Sequence, residues 1–87
     1  MAITPEQLQE AARIVDASPS VRAAAAAIRE RFAPIKALVL DAFDLRDEPP
    51  ALQVGSNRAI YLMSTDGHCW SVTREPQNAS ALVLTQA

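Results

Sequence analysis

The hydrophobic pattern of this 87-residue chain changes period at Pro34, and that change divides what its two parts can fold into. Before Pro34, apolar side chains recur every three or four residues. After it they come in short branched runs separated by turn residues. Thr4-Pro5-Glu6-Gln7 reads as a helix start: threonine can cap, proline suits the first helical position, and Gln7 can complete a capping box. Leu8, Ala11, Ala12 and Val15 then make one apolar stripe. Ser18-Pro19 is expected to stop this helix and start a second, again as a cap followed by proline. Val21, Ala25, Ile28 and Phe32 form the second stripe, and Pro34 ends it. The alanine run at 23–27 raises helix propensity and keeps that surface flat.

Residues 35–40 are rich in branched aliphatics and read as a first strand. The polar stretch 41–57, with Pro49-Pro50 and Gly55-Ser56-Asn57, is long for a structureless loop and is expected to hold a turn of helix around Phe43 and Leu45. Residues 58–64 and 68–73 flank Asp66-Gly67, a hairpin turn signal. Residues 75–78 read as a loop or one helical turn, and 81–85 as a last strand. A helical pair (1–34) followed by a β-rich part (35–87) makes a single α+β domain. Two N-terminal helices are expected to pack on a mainly antiparallel sheet of about four strands.

Composition removes several function classes. With 49% hydrophobic residues a packed core is feasible, although a chain this small would gain stability from a second copy or a partner. A lone cysteine excludes an intrachain disulfide and a Cys-X-X-Cys motif. The first residues have neither the basic nor the apolar region of a signal peptide, and no apolar run approaches the roughly 18 residues needed to span a bilayer. The expected location is cytoplasmic, with no membrane partner. The net charge of −2 is split into +1 over residues 1–36 (five basic, four acidic) and −3 over residues 37–87 (three basic, six acidic). That balance offers no footprint for nucleic acid. Arg22, Arg29 and Arg31 recur along the second helix, but Glu30 interrupts them and they read as a solvated face. Two glycines allow no phosphate-cradling loop, and a single histidine has no second group placed to orient it. No catalytic residue and no cofactor is expected.

The side chains with specialised chemistry crowd into the hairpin, since residues 61–70 hold the chain's one tyrosine, one histidine, one cysteine and one tryptophan. Strand alternation puts Ala59, Tyr61 and Met63 on one face with His68, Trp70 and Val72. Ile60, Leu62 and Ser64 share the other with Cys69, Ser71 and Thr73. As neighbours, His68 and Cys69 point apart, so they form neither a nucleophilic pair nor a shared metal grip. Tyr61, Met63, His68 and Trp70 are the candidate partner-binding residues, of the types enriched in interfaces. Two arrangements stay open. Either the helices lie on Trp70 and the aromatic face is core, or they cover the Ile60/Leu62/Cys69 side and leave the aromatic face to a partner. Asp41, Asp44, Asp47 and Glu48 form a second candidate contact, an acidic edge suited to a basic partner; their spacing is not that of an EF-hand.

Ile60-Tyr61-Leu62-Met63, then Asp66-Gly67-His68-Cys69-Trp70-Ser71-Val72-Thr73, then Asn78-Ala79-Ser80-Ala81-Leu82-Val83-Leu84, resembles a small uncharacterised bacterial family associated with nitrogenase gene clusters. The likeness covers residues 58–84, rests on the Tyr-Leu, His-Cys and following Thr positions, and lacks the family's glycine near Ser80-Ala81. It implies an accessory role beside a nitrogen-fixation metalloenzyme and carries over no catalytic residues. The expected function is a non-enzymatic accessory or adaptor protein that binds a protein partner through the aromatic hairpin face. The alternative is a metal or cofactor carrier using Cys69 or His68 across a homodimer.

Overall fold

The computed structural model describes residues 3–65 and 70–87. Helix α1 spans Pro5–Ala17 and begins with the expected capping box. The Gln7 N–H donates to the Thr4 hydroxyl at 3.1 Å, and the Thr4 N–H donates to the Gln7 side chain at 2.9 Å. Helix α2 spans Val21–Arg31, and its cap is Ser20 rather than Ser18. The Ser18 hydroxyl is already committed to α1, donating to the Ile14 carbonyl at 2.7 Å, whereas the Ser20 hydroxyl accepts the Ala23 N–H at 3.1 Å. The predicted stripe on α2 is intact, because Val21, Ala25, Ile28 and Phe32 are all buried.

Among the described residues the sheet has five strands: β1 (Lys36–Val39), β2 (Leu52–Val54), β3 (Arg58–Thr65), β4 (Trp70–Thr73) and β5 (Ala81–Gln86). Short 3-10 turns at Ala42–Leu45 and Pro76–Asn78 fill two of the loops. The fold is α+β, but the sheet exceeds the expected four strands and is mixed. β5 pairs parallel with β1 and antiparallel with β3, and β3 pairs antiparallel with β2 and β4. The additional strand is β2, three residues inside the stretch that reads as polar loop. It turns into β3 through Gly55, whose φ of 65° is a left-handed conformation that favours glycine. β5 lies between β1 and β3, and residues 81–85 are accordingly all buried. β2 and β4 share the remaining edge of β3, β2 opposite residues 58–60 and β4 opposite residues 62–65.

The helices cover one face of this sheet. Ile60 and Leu62 of β3 and Leu82 and Leu84 of β5 pack with Ala11 and Val15 of α1 and Ala25 and Ile28 of α2. This decides between the two arrangements open in the sequence: the helices lie on the Ile60/Leu62 side, and the face of Tyr61 points away from them. Arg58, at the start of β3, ties the sheet to the α1–α2 junction. Its guanidinium donates to the carbonyls of Val15 and Ser18 at 2.7 Å each and of Pro19 at 3.1 Å. A cation over the last carbonyls of α1 also complements the negative end of the helix dipole.

Arg58→Ala should therefore lower stability by about 2 kcal/mol or more, because several hydrogen bonds to a charged donor are lost together. Arg58→Lys should recover only part of this, since an ammonium cannot reproduce the fork. Urea midpoints of the two variants check the ordering, and a neutral Arg58→Ala would refute the clamp.

Candidate functional site

On the helix-free face, register places Lys36 beside Ala81, Ala81 beside Met63 and Met63 beside Val72. The neighbouring row joins Leu38, Val83 and Tyr61. A second, smaller cluster has formed here from Leu45, Ala59, Tyr61 and Val83, with Met63 and Val72 packed against it. The 3-10 turn at Ala42–Leu45 delivers Leu45 to this cluster. Asp41 caps the turn by accepting the Phe43 N–H at 2.9 Å. Tyr61, 7% exposed, lies in this cluster with Leu45 and directs its hydroxyl to the Leu45 carbonyl at 3.5 Å, a long hydrogen bond.

The loop covers only part of the face. Met63 is half-buried and Trp70 is 45% exposed. Among the described residues the exposed large apolar side chains are Leu38, Leu40, Phe43 and Trp70. Leu38 and Trp70 belong to this face by register, Leu40 continues the alternation of β1, and Phe43 stands on the turn that covers the face. Two cations lie against exposed aromatics: Lys36 Nζ is 5.9 Å from the centre of the Trp70 ring, and the Arg46 guanidinium is 4.0 Å from that of Phe43. Lys36 and Trp70 start on β1 and β4, with β5 and β3 between them. Small Ala81 in the intervening row leaves room for both to extend across.

Asp41 therefore acts as a cap, while Asp44, Asp47 and Glu48 are exposed on and after the turn that holds Leu45 over Tyr61. The loop that carries these carboxylates is thus anchored on the Tyr61 face through Leu45. Among the described residues no group of three or more His, Cys, Asp and Glu is gathered where it could hold a metal ion. Among the described residues the hairpin pairing runs to Thr65 and Trp70, and Ser64 and Ser71 on the other face bring their hydroxyls to 3.3 Å. Trp70, Met63 and Val72 share a face as alternation predicts. Asp66, Gly67, His68 and Cys69 lie outside the described residues, and with them the partner role of His68 and the carrier role of Cys69 and His68.

Sequence reasoning missed Leu38 and Leu40 as surface residues, because residues 35–40 are apolar at every position but one. The exception, Lys36, was the available signal: it has the same parity as Leu38 and Leu40 and marks their side as the open one. Among the described residues no helix is long and apolar enough to cross a membrane. No family model matches the chain, and neither a curated protein nor a solved structure does.

Burial separates the aromatic pair by role. Tyr61→Ala should cost about 3–5 kcal/mol, as for other buried aromatics, and Tyr61→Phe about 1 kcal/mol or less. Trp70→Ala should stay within about 1 kcal/mol. Denaturant titration checks this, and equal losses at Tyr61→Ala and Trp70→Ala would show that both rings belong to one packed core.

Proposed function

We propose that this chain is a non-enzymatic accessory protein that docks a protein partner on the helix-free side of its sheet. The reading is carried by one observation: Leu38, Leu40, Phe43 and Trp70 stay exposed and come together on or beside a single face. Trp70 is the anchor. An indole half out of solvent beside the flexible thioether of Met63 is the type of side chain on which interface energy concentrates. Asp44, Asp47 and Glu48 supply an acidic rim that steers a basic partner surface and orients it over the apolar centre. The resemblance of residues 58–84 to the nitrogenase-associated family supports a nitrogen-fixation metalloenzyme component as that partner.

Trp70 is the chain's one tryptophan, so its emission reports directly on the proposed site in a partner that lacks tryptophan or is spectrally separated. Adding a nitrogen-fixation metalloenzyme component should shift that emission to saturation. Trp70→Ala should weaken binding about thirtyfold or more while the circular dichroism of the free protein is retained. Asp44→Lys with Asp47→Lys should slow association mainly at low salt. Saturable binding that leaves Trp70 emission and the Trp70→Ala affinity unchanged would place the partner elsewhere.

A further inference from the structure

Helix α2 runs back along β1, and Arg22, Arg29, Leu38, Val39 and Leu40 line a hollow of about 550 Å³ between them. That volume falls in the range of small-molecule sites, about 300–1,000 Å³. Arg29 is fixed in place by its Nε, which donates to the Ala37 carbonyl at 2.8 Å, and its two Nη groups take no part in that bond. Arg22 lies two turns away on the same helix face, about 10 Å along the axis. Neither arginine has an acidic residue three or four positions away on α2, and among the described residues the ion pair is Arg31 with Glu10. Two unmatched positive charges therefore border one hollow. β1 supplies its other wall. The Leu40 N–H donates to the Leu84 carbonyl, so by alternation Leu38 and Leu40 turn their backbone groups toward β5 and Val39 turns its own outward. With the Ala37 carbonyl already held by Arg29, Val39 offers one open N–H, too little for an added strand but enough for one ligand oxygen. Leu38 and Leu40, 41% and 39% exposed, complete the wall.

We infer that this hollow binds a small amphipathic phosphate monoester. The phosphate lies between Arg22 and Arg29, whose planar forks match its oxygens with charge-assisted hydrogen bonds. A monoester carries about −1.5 to −2 charges at pH 7, so one headgroup answers both guanidiniums. A carboxylate, with a single charge, would leave one of them unmatched. The Val39 N–H donates to a further phosphate oxygen. The alkyl part of the ligand then passes over the edge of β1 and removes Leu38 and Leu40 from water. Head and tail are both required. Inorganic phosphate would leave the leucines wet, and a neutral alkyl compound would leave the arginines without a counter-charge. The site borders the Trp70 face and shares Leu38 and Leu40 with it, but its ligand is held from α2 and does not depend on the partner proposed there.

The test uses the full chain and hexyl phosphate, with inorganic phosphate, hexanoate and hexyl glucoside as comparisons. Calorimetry should show saturable binding of hexyl phosphate, about tenfold or more tighter than inorganic phosphate or hexyl glucoside, with hexanoate between them. In NMR spectra the ligand should shift the Val39 amide and give Overhauser contacts from its chain to the Leu38 and Leu40 methyls. Its affinity should fall as salt rises. Arg22→Ala should weaken it about three- to tenfold without touching the Arg29–Ala37 bond, and Arg22→Ala with Arg29→Ala by about tenfold or more. Arg13→Ala, which removes a charge from exposed α1, should leave binding unchanged. Equal binding of inorganic phosphate would mean an adventitious ion only, and equal binding of hexyl glucoside an apolar contact only. Either result, an unmoved Val39 amide or full affinity in Arg22→Ala would overturn the proposal. So would retention on phosphatidic acid vesicles with no binding of monomeric hexyl phosphate, since the surface would then belong to a membrane.

Discussion

β3 carries backbone hydrogen bonds along both edges and buried side chains on both faces, and those four sides place β2, β4, β5, the helices and the turn that bears Leu45. Ile60 and Leu62 look toward the helices, while Ala59 and Tyr61 look toward Leu45. One edge holds β5, and the other is divided between β2 and β4. A one-residue slip of β3 would exchange Leu62 for Met63 beneath the helices and turn Tyr61 into the main core, so its register is strongly fixed. Arg58 adds a polar lock at the strand's first residue by holding the end of α1 and the turn that follows it. The pattern of β3 and its arginine together set where the helix pair sits.

The consequence for the candidate site is a division of labour between two aromatic residues of the same face. Tyr61, in the middle of β3, is held by Leu45 and by strands on either side. Trp70 sits at the start of β4 and is left 45% exposed. The same acidic loop packs Leu45 on the centre of the face and leaves its own carboxylates exposed.

What the sequence made legible was local. Thr4 and Gln7 announce the capping box, the stripe Val21, Ala25, Ile28 and Phe32 announces the buried side of α2, and strand parity assigns Met63, Trp70 and Val72 to one face. What it left hidden depends on partners distant in the chain. β2 is too short to show a period of its own and exists because residues 58–60 offer it an edge. The parallel pairing of β1 with β5 joins segments more than forty residues apart, and nothing local in either distinguishes a central strand from an outer one. Residues 35–40 are apolar on both sides, and the parity of Lys36 was the one sign that Leu38 and Leu40 would remain exposed. Ser18 and Ser20 are chemically equivalent caps, and only the competing demand of the Ile14 carbonyl decides between them.

The central place of β5 has a consequence for how the molecule assembles. Among the described residues it is the last of the five strands, yet β1 meets the rest of the sheet through it. During synthesis the helix pair and β1 can form one unit and β3, with β2 and β4 along one of its edges, another, each with an apolar surface that has no cover. Neither can close until residues 81–86 arrive and zip between them. Folding of the sheet is therefore a late, non-local event, with loop closure preceding the contacts that reward it.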